Sequence, residues 1–187
     1  SDLRRQRQMC IRDSINSVSF NDDGTRIYTL DGSNNTPILT TVELPNAYDV
    51  SSSTQIHQVD LSTLGIEVGA HSSNDQAKDV EFSDDGFAMY ILIRNDTLLT
   101  DGSSDRPYSY IYQFRLEESF NVATAEKVGR WNVKGFGNGT STSKTGKPTG
   151  FSFSSDGMHL FIVQVQAGGG VDQINQFNLE CPYGVVE

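Results

Sequence analysis

The sequence repeats itself, and that repetition limits what it can fold into more than any other feature. Val18-Ser19-Phe20-Asn21-Asp22-Asp23-Gly24 leads to Ile27-Tyr28. Val80-Glu81-Phe82-Ser83-Asp84-Asp85-Gly86 leads to Met89-Tyr90. Phe151-Ser152-Phe153-Ser154-Ser155-Asp156-Gly157 leads to Leu160-Phe161. Each copy is an alternating apolar strand, a turn ending in Asp-Gly and a second apolar strand. Glycine accepts positive φ at little steric cost and so closes such a hairpin. A second half-pattern follows each hairpin. Leu39, Val42 and Leu44 match Ile111, Phe114 and Leu116, then Ile174, Phe177 and Leu179. Four residues beyond the last Leu stands Tyr48, Phe120 or Tyr183, and two further on Val50, Val122 or Val185. The first two copies continue in step to Leu61 and Val133.

One unit therefore reads strand A, Asp-Gly turn, strand B, variable connection, strand C, aromatic turn, strand D. The pattern predicts A over 16–21, 77–83 and 149–154, and B over 26–30, 87–93 and 158–165. It predicts C over 37–44, 109–116 and 172–179, and D over 54–61 and 126–133. Four antiparallel strands recurring every 60 to 70 residues point to an all-β chain, a partial β-propeller of about three four-stranded blades. The blades span approximately 15–61, 77–133 and 149–187, the last incomplete. Closed propellers use about 4–8 blades, so further blades are expected outside this chain. The piece alone is expected to associate or unfold, because its open edges expose backbone N–H and C=O groups. A β-sandwich is the main rival fold, and it predicts no repeat of this fidelity.

The run Lys147-Pro148-Thr149-Gly150-Phe151-Ser152-Phe153-Ser154-Ser155-Asp156-Gly157 is similar to blade openings in lactonase-like and NHL-like propellers. The stretch Gln113-Phe114-Arg115-Leu116 through Phe120-Asn121-Val122-Ala123-Thr124-Ala125 resembles an uncharacterised repeat of marine bacterial and phage proteins. The first copy departs from it, with Thr41-Val42-Glu43-Leu44 and Pro45-Asn46-Ala47 in the corresponding places. The resemblance implies a propeller and carries no established chemistry. The first fourteen residues, SDLRRQRQMCIRDS, lack the strand pattern. They resemble translated adapter sequence at the ends of metagenomic gene fragments, and are read as non-native.

The formal charge is −10, and −12 without that segment, which carries four Arg against two Asp. Such a surface disfavours nucleic acid and anionic membranes. No stretch approaches the ~18 apolar residues of a membrane-spanning helix. Only Cys10 and Cys181 occur, so no disulfide framework is expected.

Antiparallel order puts the A–B and C–D turns on one side of the repeats and the B–C and D–A connections on the other. From the turn Gly to the strand C Leu the spacing is 20, 30 and 22 residues (24 to 44, 86 to 116, 157 to 179). Length variation thus falls on the B–C side, and the D–A connections, 62–76 and 134–147, are rich in Ser, Gly and Asn. Scaffolds place recognition on variable loops, so this side is the expected contact surface for a protein or glycan partner. Its candidate binding residues are His71, Asp96, Asp101, Asp105, Tyr108 and Phe136.

Chemical motifs are sparse. Gly135-Phe136-Gly137-Asn138-Gly139-Thr140 lacks the last glycine of a dinucleotide loop and leads to another strand rather than a helix. Asp22-Asp23 and Asp84-Asp85 recur in one turn, which marks turn chemistry rather than paired catalytic carboxylates. The clusters Asp31-Gly32-Ser33-Asn34-Asn35 and Asp101-Gly102-Ser103-Ser104-Asp105 offer hard oxygens suited to calcium, without EF-hand spacing. His57, His71 and His159 lack ligand spacing, and Trp131 takes the place of Val59, which marks packing. The sequence therefore favours a non-enzymatic binding or structural module, extracellular or on a virion or cell surface. The alternative is a lactonase-like hydrolase with a divalent metal in a central channel, with oxygen ligands from Asn16, Asp79 and Glu81.

Overall fold

The computed structural model describes residues 15–32, 36–66, 75–95, 109–133, 146–166 and 172–186. The alternating segments form antiparallel strands. In the first repeat these are β1 (Ile15–Phe20), β2 (Arg26–Asp31), β3 (Ile38–Glu43) and β4 (Thr54–Asp60). In the second they are β5 (Asp75–Phe82), β6 (Ala88–Asn95), β7 (Tyr110–Leu116) and β8 (Ala125–Asn132). In the third they are β9 (Gly146–Phe153), β10 (His159–Gln166) and β11 (Gln173–Asn178). Each repeat is its own sheet, ordered β1-β2-β3-β4, β5-β6-β7-β8 and β9-β10-β11. Three separate meanders are not the two facing sheets of a sandwich. Among the described residues the sheets do not close a ring.

The Asp-Gly turns and the aromatic turns are clasped together in the same way in every repeat. Gly24, Gly86 and Gly157 have φ of 70°, 71° and 68°, and Tyr48, Phe120 and Tyr183 have φ of 61°, 58° and 58°. Each aromatic amide donates to the carbonyl of its glycine at 2.8 Å. Each ring then lies over that glycine: a Cβ on Gly86 would come within 2.3 Å of the Phe120 ring. The left-handed conformation costs a non-glycine residue roughly 1–2 kcal/mol; the ring contact and the amide bond offset it.

The turn aspartates also repeat. Asp85 Oδ1 accepts from Ser83 Oγ at 2.6 Å and from the Phe87 amide at 3.0 Å, and Asp156 Oδ1 accepts from Ser154 Oγ at 2.5 Å and from the Met158 amide at 3.0 Å. Asp23 Oδ1 accepts from the Thr25 hydroxyl at 2.5 Å and the Thr25 amide at 2.9 Å. These bonds hold all three carboxyls below the ordinary aspartate range. In each turn it is the aspartate directly before the glycine that makes the bonds, as turn chemistry requires.

Apolar burial joins the sheets. Tyr28, Leu30, Leu39 and Leu61 of the first repeat pack with Val80, Phe82, Phe114 and Val122 of the second. Tyr90, Leu92, Ile111 and Val133 of the second pack with Phe151, Leu160, Ile162 and Val185 of the third. A polar bond recurs at each interface. Tyr28 Oη donates to the Phe120 carbonyl and Tyr90 Oη to the Tyr183 carbonyl, both at 2.6 Å. Burial pushes the Tyr28 hydroxyl up to about 12. Trp131 meets the Phe177 ring edge-on at 5.2 Å, the packing role its place in the repeat predicts.

Candidate functional site

The first strands of the three sheets, β1, β5 and β9, lie side by side where the sheets converge. Each carries a register shift one residue before the same repeat position. Asn16 in β1, Lys78 in β5 and Thr149 in β9 fall in these bulges. A bulge leaves one residue unpaired and re-aims its neighbours. The residues just beyond, Ser17, Asp79 and Gly150, meet between the sheets.

Asp79 is the centre of this meeting. Ser17 Oγ donates to Asp79 Oδ1 at 2.5 Å, and the Val80 amide donates to the same oxygen at 3.0 Å. The Phe151 amide donates to Asp79 Oδ2 at 2.8 Å. One carboxylate thus ties all three sheets. Gly150 leaves room for it: a Cβ there would lie 3.1 Å from Oδ2. Beside it, Asn16 Nδ2 donates to the Ala77 carbonyl at 2.7 Å. That amide occupies the space a side chain on Gly32 would need, since a Cβ there would lie 1.7 Å from Asn16 Nδ2. The bonds from Asn16 to Ala77 and from Ser17 to Asp79 advance together along both chains, so β1 and β5 run in the same direction.

Glu81, two residues on, shares the face of Asp79. Burial first, and then the charge of Asp79, push its carboxyl up to about 7, with a bond from Ser152 partly offsetting both. Burial likewise raises Asp79, against the opposing hydrogen bonds from Ser17, Phe151 and Val80. The site is therefore a half-buried carboxylate pair at the seam of three sheets, with one member tied into the backbone and the other poised to hold a proton near neutral pH.

Of the sequence-derived residues, Asn16, Asp79 and Glu81 come together here. His71, Asp96, Asp101, Asp105, Tyr108 and Phe136 lie outside the described residues. So do Ser33, Asn34, Asn35 and the whole 101–105 cluster, the positions considered for calcium. Among the described residues no three His, Cys, Asp or Glu side chains are grouped to hold a metal. Sequence reasoning missed Ser17, Gly150 and Ser152. Their signal lies in the repeat: Ser17, Asp79 and Gly150 are equivalent, as are Ser19, Glu81 and Ser152, and all share the polar phase of strand A.

A cleft of about 630 Å³ lies farther out, between Gly129, Arg130 and Trp131 of β8 and Phe177 to Val186 at the end of the third repeat. It runs beside β11, an edge strand. Among the described residues no helix is long and apolar enough to cross a membrane.

No protein-family model and no curated protein matches the sequence. Two of the solved structures to which it is similar are as follows. One is a member of the DUF4221 family from Bacteroides vulgatus, at 12% identity and a TM-score of 0.38 over 87% of this chain. The other is a functionally unknown protein from Desulfotomaculum acetoxidans, at 12% identity and a TM-score of 0.36 over 93% of this chain. The chain spans 45% and 60% of those two proteins. Likeness at this level assigns the chain neither a detailed fold nor a function.

Proposed function

We propose that residues 15–187 are a segment of a β-propeller, with blades over 15–61, 77–133 and 149–187 and a non-native stretch at 1–14. In this reading the segment is a non-enzymatic binding module. It meets a protein or glycan partner on the side formed by the β2–β3, β6–β7, β4–β5 and β8–β9 connections. The observation that carries this is the contrast between the two sides. On one, the same glycine–aromatic clasp recurs with the same 2.8 Å bond in each repeat, so that side is built for uniformity. On the other, the sequence length between the turn Gly and the strand C Leu varies from 20 to 30 residues, as recognition loops do on a rigid scaffold.

The rival reading, a metal-dependent lactonase-like hydrolase, draws on Asp79 and Glu81. It is disfavoured by the bonding of Asp79, whose two oxygens accept from one hydroxyl and two amides. Three of the roughly four acceptor sites of that carboxylate are thereby engaged in holding three sheets together, which leaves it little capacity for a divalent cation.

The test compares the wild-type chain with a variant whose residues 96–108 are replaced by residues 33–35 of the first repeat. Both are screened on a printed glycan panel and a displayed peptide library. The expected result is loss of the ligands that the wild type selects. Unchanged binding by the short-loop variant would refute the reading. Lactone hydrolysis accompanied by one bound divalent metal per chain, read by elemental analysis, would replace it with the rival.

A further inference from the structure

The first sheet leaves uncovered the β1 and 45–50 part of a face that the other two bury, while Ile27, Val42 and Leu44 on that face form a small buried cluster of their own. Val18 is 53% exposed, whereas its equivalents Val80 and Phe151 are 1% and 4% exposed. Val50 is 48% exposed against 2% for Val122 and 9% for Val185. Phe20 and Tyr48 are exposed on the same face, with their rings 5.3 Å apart. In the second and third repeats this face is seated against the preceding sheet.

The third sheet has the complementary surplus. The residues that seat a following repeat are Tyr28, Leu30 and Leu39 in the first, and Tyr90, Leu92 and Ile111 in the second, all fully buried. Their equivalents in the third are Phe161, Val163 and Ile174. Val163 is 41% exposed and Ile174 is 73% exposed. The first and third sheets thus present two different apolar faces, each the partner type of the other in an interface that the described residues build twice.

We propose that a second copy of this chain docks head to tail here, its β10–β11 face against β1 and the 45–50 turn of the first sheet. The argument is continuity with the internal interfaces and needs no assumption about what the loops bind. Because the two faces differ, the contact is heterologous, so association continues into a ring or an open chain unless one face is blocked.

One flaw in the match provides a test. At both internal interfaces a strand B tyrosine donates to the carbonyl of the left-handed aromatic. In the third repeat that tyrosine is replaced by Phe161, which has no hydroxyl to offer the Tyr48 carbonyl of the next copy. Phe161→Tyr should supply the bond and tighten association about tenfold, the size of one well-made hydrogen bond.

Sedimentation velocity over a concentration series reads the outcome. Wild type should associate with rising concentration, while Val18→Lys and Ile174→Lys, both at exposed positions, should each remain monomeric. An equimolar mixture of these two variants should form a dimer and stop, since it retains one intact head and one intact tail. A wild type that stays monomeric at all concentrations would overturn the proposal and leave the face to a repeat from elsewhere. Association by either Lys variant alone, or failure of their mixture to dimerise, would also overturn it. So would a Phe161→Tyr chain that associates no more tightly than wild type.

Discussion

Burial of Glu81 beside Asp79 makes its proton part of the folding equilibrium. Its carboxyl stands at about 7 in the folded chain against an ordinary value of 4.5. Between those pH values the folded form holds a proton that the unfolded chain releases. Stability therefore falls as pH rises through that window and levels off above it. Glu81→Gln removes the penalty. It should stabilise the chain at about pH 8 by roughly 1–2 kcal/mol, discounted for the partial exposure of the side chain, with a gain that shrinks as pH falls and disappears below the unfolded value of 4.5. The turn aspartates act with the opposite sign and at lower pH. Their depressed values stabilise the fold above the ordinary aspartate range, and that contribution is lost as pH falls through them. The difference between variant and wild type across urea titrations at pH 5.5 and 8 isolates Glu81. An equal shift at both pH values would show that its proton is not linked to folding. At this scale the sequence was only partly legible. Alternation put Asp79 and Glu81 on one polar phase, but no local rule says that a Ser 62 positions earlier and an amide 72 positions later both donate to Asp79. That is a property of how the sheets converge.

The elements themselves were legible because the repeat writes each one more than once. Strand limits predicted from the aligned copies fall within three residues of the limits of β1 to β11 at every end. The Asp-Gly signal located the hairpins through the φ that glycine allows. What it did not disclose was the second left-handed residue. An aromatic at positive φ runs against local preference, and Tyr48, Phe120 and Tyr183 adopt it because each ring caps the glycine of the facing turn. The clasp is thus a tertiary choice that overrides a local one. Gly86→Ala tests it. The methyl would meet the Phe120 ring at 2.3 Å, and the left-handed backbone adds roughly 1–2 kcal/mol of strain. Expected is a loss of about 2–4 kcal/mol from strain and displaced packing together, seen as a lower urea midpoint with unchanged slope. A variant as stable as wild type would mean that the ring can leave the glycine without cost, and that the clasp does not hold the turns.

Across the whole molecule the sheets are unequal because stacking covers the middle one twice. In β6, Met89, Tyr90, Ile91, Leu92 and Ile93 are all buried, so the alternation expected of a half-exposed strand is gone. Met89, Ile91 and Ile93 belong to the cluster shared with the first sheet, and Tyr90 and Leu92 to the cluster shared with the third. The third sheet keeps one covered face, and the first keeps one covered face together with a small buried cluster of Ile27, Val42 and Leu44 on the other. Val163 of β10 points outward between the buried Ile162 and Gln164, and Val18 and Phe20 of β1 are exposed between half-buried neighbours. In stacked repeats stability is close to a sum of each unit and its neighbour interfaces, which gives the middle sheet two interface contributions and each outer sheet one. Native-state hydrogen exchange should therefore find the slowest amides in β6 and its partners β5 and β7. Those of β2, β3 and β10 should open at lower free energy, ahead of global unfolding. The measurement belongs at a concentration low enough to suppress association, since a copy docked on the first sheet would protect β2 and β3 as well. Uniform protection across the three sheets in the dilute chain would mean that they unfold as one unit, and that the interfaces, rather than the individual sheets, set the stability of each part.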